Sequence, residues 1–76
     1  MPDVRVEEIH TGDVVRPEGG PQRLVIGKSV DVDGLIWLSW TTDRKVSVEV
    51  FRPEDMIDRA IEGPVTRHLR ELKTDA

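Results

Sequence analysis

The chain contains no cysteine, no tyrosine and a single phenylalanine. Without cysteine there is no disulfide, no thiolate nucleophile and no cysteine-based zinc site. Its only histidines, His10 and His68, stand far apart in different kinds of segment. They lack the spacing of a metal motif, so no metal site is expected. Long apolar runs are missing too, and nothing approaches the ~20 apolar residues that a membrane-spanning helix needs. The first eight residues hold neither the basic stretch nor the apolar stretch of a secretory signal, so a cytoplasmic location is expected. Positive charge is in the minority: 11 Lys+Arg against 15 Asp+Glu leave a net charge of -4. That balance disfavours general affinity for a nucleic-acid backbone.

What is present is enough for one small domain, 76 residues with 37% hydrophobic side chains. Turn-forming clusters recur at short intervals: Thr11-Gly12-Asp13, Glu18-Gly19-Gly20-Pro21, Asp31-Val32-Asp33-Gly34 and Thr41-Thr42-Asp43-Arg44. Between them lie short runs of Val, Ile, Leu and Trp, the pattern of an antiparallel meander. The runs predict strands over 13–16, 23–29, 35–41 and 46–51, with a further short strand over 4–7. The run Leu35-Ile36-Trp37-Leu38-Ser39-Trp40 is apolar on both faces of a strand. Ile36, Leu38 and Trp40 share one face; Leu35, Trp37 and Ser39 share the other. In the next run Val46, Val48 and Val50 point one way, and Ser47 and Glu49 the other.

After Phe51 the pattern changes. Pro53-Glu54-Asp55 has the residues of a helix start, and Met56, Ile57, Ala60 and Ile61 follow at helical spacing. A helical turn is therefore expected there, stopped by Gly63-Pro64. A weaker second helix is expected beyond, with Val65, Leu69 and Leu72 as its apolar stripe, marginal on its own because it is short. The expected organisation is an N-terminal extension over 1–8, a barrel with its closing helical turn over 9–62, and a tail over 63–76 that is a marginal helix or disordered. The fold class is mainly β: a small SH3-like antiparallel barrel with a short C-terminal helical segment. A flatter three- or four-stranded sheet crossed by the C-terminal helix is the alternative.

A set of these residues also resembles a known family. Gly12-Asp13-Val14-Val15, Gly19-Gly20-Pro21, Leu24-Val25-Ile26-Gly27, Gly34, Trp40, Phe51 and Met56 together are similar to the YodC-like small bacterial proteins of unknown function. The resemblance covers about residues 9–57. It implies a compact SH3-like barrel and no catalytic residue. In its register Ile36, Leu38, Trp40 and Val25 face the core, while Leu24, Ile26, Leu35 and Trp37 lie on the opposite face. Arg23 and Trp37 depart from the pattern, which places an apolar and a polar residue at those positions. The segment after Asp58 also lies outside it and is available to cover the second face.

Candidate chemistry is sparse. Gly27-Lys28-Ser29 imitates the end of a phosphate-binding loop, but Gln22 stands where the first glycine belongs and a strand follows where a helix should. A strand with a bulge or turn glycine explains it better. Glu18-Gly19-Gly20-Pro21 reads as a tight turn rather than an anion cradle. Asp31, Asp33 and Asp43 lack calcium-loop spacing and read as turn residues. No serine sits in a nucleophile elbow, and so small a barrel offers little concavity for a ligand pocket of ~300–1,000 Å³. No catalytic, cofactor-binding or metal-binding residue is therefore expected. The expected function is a non-catalytic interaction module that binds a protein partner or itself through the apolar face formed by Leu24, Ile26, Leu35 and Trp37. Burial of Trp37 under the 56–61 helix or the tail would remove that surface. The alternative is RNA binding by an SH3/KOW-like module, with Arg23, Lys28, Arg44 and Lys45 on phosphates and Trp37 stacking on a base.

Overall fold

A computed structural model of the chain describes residues 3–74. Six strands form one antiparallel sheet, and a helix follows them. The strands are β1 (Asp3–Arg5), β2 (Val14–Val15), β3 (Arg23–Val30), β4 (Ile36–Thr42), β5 (Lys45–Phe51) and β6 (Met56–Ile61); the helix is α1 (Pro64–Thr74). Single 3₁₀ turns occupy Val6–Glu8 and Pro17–Gly19. The sheet order is β1-β6-β2-β3-β4-β5. It begins at one edge with β1 and ends at the other with β5, and it is not closed into a barrel.

The turn chemistry explains the meander. Asp31 accepts hydrogen bonds from the backbone N–H groups of Asp33 (2.9 Å) and Leu35 (3.0 Å), and Gly34 takes a positive φ of 82°; together they reverse the chain between β3 and β4. Asp43 and Arg44, with φ of 48° and 69°, make the two-residue reversal between β4 and β5. This is the left-handed turn whose twist matches paired strands.

The core is one cluster: Val6, Ile9, Val15, Val25, Ile36, Leu38, Trp40 and Ile57, with Val4 and Phe51 packed against it. Trp40 is its largest member and is fully buried. The Phe51 ring stands 5.8 Å from the Trp40 ring between centroids, and the Arg23 guanidinium lies over the indole at 5.2 Å.

The helical turn expected over 56–61 is a strand instead. Asp55 accepts the backbone N–H of Arg52 at 2.9 Å, so Pro53-Glu54 form a turn and not a helix start. Residues 56–58 then pair with β1, and Arg59 and Ile61 pair with β2. Spacing of 56, 57, 60 and 61 suits a helix, yet only Ile57 is buried, as alternation in a strand requires. Sheet pairing on two sides outweighs the weak propensity of so short a helix. The segment expected as a strand over 4–7 is divided, with β1 ending at Arg5 and a 3₁₀ turn following.

The C-terminal helix is held by one residue far away in sequence. Asp13, fully buried, accepts the Gly63 N–H at 2.6 Å and the Thr66 hydroxyl at 2.7 Å. Gly63 precedes Pro64 and has no side chain to cap the helix, so the carboxylate of the residue just before β2 does this work. The backbones meet closely here: a Cβ on Gly63 would lie 2.5 Å from the Gly12 carbonyl carbon.

Candidate functional site

β3, β4 and β5 carry two faces with opposite roles. Directly paired residues in adjacent strands share a face. Ser29 pairs with Trp37 and Trp37 with Val50; Gly27 pairs with Ser39 and Ser39 with Val48; Leu24 pairs with Thr41 and Thr41 with Val46. These residues form the outer face. Ile36, Leu38 and Trp40 alternate with them and enter the core. The register shifts between Val25 and Gly27, and Ile26 is the extra residue there. Gly27-Lys28-Ser29 therefore lies within a bulged strand and builds no phosphate loop.

Trp37 is 42% exposed, whereas Trp40 is 0%. Val50 pairs with Trp37, Val48 lies one step further along the face, and Val46 and Leu24 flank Thr41 at its other end; these and Ile26 are all exposed, with Leu35 half-buried just before the strand. Neither β6 nor α1 covers the indole. Its Nε1–H donates to Asp31 Oδ2 at 2.9 Å, which fixes the ring at the β3–β4 end of the face. That same bond, with the backbone N–H donors of the turn, holds the Asp31 carboxyl below its ordinary pKa. The face thus combines a fixed aromatic ring with short, stiff valines. Such a surface loses little side-chain entropy when it is covered.

β5 extends the face beyond the four residues singled out in sequence. All of its residues except Phe51 are exposed. It lies at the edge and pairs only with β4. Val46, Val48 and Val50 were visible as a shared stripe in the sequence. Their position beside Trp37 depends on the Asp43-Arg44 turn, which sets the pairing register.

The basic residues of the RNA reading do not gather. Arg23 lies over the buried Trp40 and approaches Glu49 at 3.9 Å. Lys28 donates to the Glu7 carbonyl at 2.8 Å, and burial lowers its pKa. Arg44 forms the β4–β5 turn and Lys45 begins β5. Arg23 and Lys28 are paired with Val15 and Leu38 of the core, on the side of the sheet away from the Trp37 ring.

An open groove of about 690 Å³ runs beside α1, larger than a domain this small suggests. His10, Arg59, Glu62 and Thr66 line it. Arg59, Glu62 and Arg70 in its lining are partnered within the chain. Arg59 contacts Asp13 at 3.7 Å and Glu62 at 3.2 Å, and Arg70 also contacts Glu62. His10 Nδ1 and Thr66 Oγ1 lie 3.2 Å apart. The His10 pKa is lowered, first by burial and then by Lys28, so the ring is neutral at pH 7. Among the described residues no group of three or more His, Asp or Glu is placed to hold a metal ion, and no helix is long and apolar enough to cross a membrane.

No family model, no curated protein and no solved structure matches the chain.

Proposed function

We propose that the protein is a non-catalytic interaction module whose outer sheet face docks against another protein chain. The observation that carries this reading is the exposed, hydrogen-bond-fixed indole of Trp37 at one end of an outer face that continues through Val50, Val48, Val46 and Leu24. Apolar side chains in a contiguous exposed group mark a contact surface more often than scattered ones do. An aromatic anchor supplies most of the contact area at small entropic cost. Leu24, Ile26, Leu35 and Trp37 are the contact residues read from the sequence, and the β5 valines join them. The scaffold is read as an SH3-like arrangement that has opened, with the YodC-like resemblance as its support. RNA binding is disfavoured, because Trp37 and the cations Arg23 and Lys28 stand on opposite sides of the sheet.

The test is a photo-crosslinking amino acid placed at Ser39, between Trp37 and Val48, with a control at Arg67 on the exposed side of α1. The expected result is a discrete protein adduct from position 39 that Val48→Glu abolishes. No adduct from position 39, or one indifferent to Val48→Glu, overturns the reading.

A further inference from the structure

The two edges of the sheet differ. β1 is three residues long and charged at both ends by Asp3 and Arg5, a common way to blunt an edge. β5 is seven residues long, contains no proline, and carries three exposed valines. Its free hydrogen-bonding groups can be assigned. In a two-residue hairpin the closing pair, here Thr42 and Lys45, exchanges both backbone bonds, and bonded pairs then alternate. Lys45, Ser47, Glu49 and Phe51 therefore turn their N–H and C=O groups to β4. Val46, Val48 and Val50 turn theirs outward, away from the sheet.

The charges on β5 say what fits this edge. Among the described residues Lys45 makes no ion pair within its own chain. The Glu49 side chain is 53% exposed, with only the 3.9 Å approach of Arg23. The two lie four residues apart on the same side of the strand, with Ser47 midway between them. A second β5 running antiparallel, centred on Ser47, sets Lys45 opposite Glu49 of the other copy, twice by symmetry. In the same register Val46 pairs with Val48 of the other copy, and the outward N–H and C=O groups of both meet as bonded pairs. Lys45 and Glu49 then occupy non-bonded pairs, where side chains come closest. Centring the strands on Glu49 would oppose like charges. Centring them on Val48 would set Lys45 against Phe51 and Glu49 against Ser47, with no ion pair. Strand and charge pattern are self-complementary in one register.

We propose that β5 pairs antiparallel with β5 of a second copy of this chain, centred on Ser47, to give one sheet that continues through a two-fold axis. This goes beyond the reading of the Trp37 face as a docking surface: the second copy takes the strand edge beside that face and leaves the face itself open. The paired strands join the Val46, Val48 and Val50 stripes of two copies into one apolar band.

The experiment combines sedimentation equilibrium with backbone amide hydrogen exchange on the full chain. The expected result is a dimer at high concentration in which the Val46 and Val48 amides become protected. Glu49→Lys is expected to weaken it roughly tenfold, by losing two cross-strand ion pairs and opposing like charges. The double variant Lys45→Glu/Glu49→Lys is expected to restore it, which separates pairing from any effect of the lost Arg23 contact. A dimer whose Val46 and Val48 amides still exchange freely overturns the edge pairing and leaves the face reading standing. A monomer at all concentrations overturns the edge pairing, and the Ser39 crosslink then decides the face on its own. Val46 and Val48 protected only by a different protein's strand also overturns the second copy as occupant.

Discussion

Trp37 and Trp40 lie three positions apart on β4 and face opposite ways, one exposed to solvent and the other sealed in the core. An odd separation along a strand forces this division. Trp40 with Phe51 and Arg23 organises the interior, while Trp37, held by Asp31, stays on the exposed outer face. Replacing the two should therefore have different consequences. Trp40→Ala is expected to cost about 3–5 kcal/mol, enough to unfold most of a domain whose total stability is roughly 4–11 kcal/mol. Trp37→Ala should leave a folded protein. Urea unfolding followed by circular dichroism distinguishes them.

Asp13 makes a second long-range relationship, with Gly63 and Thr66. Truncation to Ala removes the acceptor of the Gly63 N–H, the Thr66 hydroxyl and the His10 backbone N–H, and leaves Arg59 with Glu62 as its carboxylate partner. The expected loss is about 2–4 kcal/mol, since these are charge-assisted bonds to a buried group. Helical ellipticity should fall first on heating, because α1 is the element released.

Gly63→Ala tests the close approach independently of charge. The new methyl meets Gly12 and Asp13 backbone atoms at 2.5–2.9 Å, which must move apart. A loss of about 1–3 kcal/mol is expected, read as a lowered unfolding midpoint with an unchanged dependence on denaturant.

His10 gives the fold a pH dependence of definite sign. Its folded pKa is below the 6.5 of the free side chain, mainly through burial. The neutral ring is favoured in the folded state, so this contribution is complete above pH 6.5 and is lost as pH falls through the folded pKa. Unfolding midpoints measured between neutral and mildly acidic pH should decline on acidification. In His10→Gln that decline should flatten.

The β4–β5 turn holds non-glycine residues at positive φ. Asp43→Asn with Arg44→Gly supplies the residues that this turn prefers, and about 1 kcal/mol of stabilisation is expected. Thermal unfolding should shift upward by several degrees.

The alternation of residues 35–40 was legible because β4 has one face in the core, and a one-residue slip would invert it, whereas that of residues 46–50 rested on the valine stripe alone. The outward direction of Leu24, Ile26 and Trp37 follows from the same rule. Residues 56–61 were misread because Met56, Ile57, Ala60 and Ile61 satisfy a helical spacing as well as a strand that buries Ile57 alone. Local pattern does not decide between them; the partners β1 and β2 do. The anchoring of α1 by Asp13 joins groups 50 or more positions apart, and its one local trace is a helix start at Pro64 that lacks a capping side chain. Whether the sheet closes depends on how its two edges meet, which no single strand encodes.

The most direct measurement is a concentration series of amide NMR spectra on the wild-type chain. Shifts are expected to move at residues 37–41 and 46–50 as concentration rises, with α1 unchanged. Spectra that are constant with concentration, or that change only along α1, would contradict a second copy pairing along the β5 edge beside the Trp37 face.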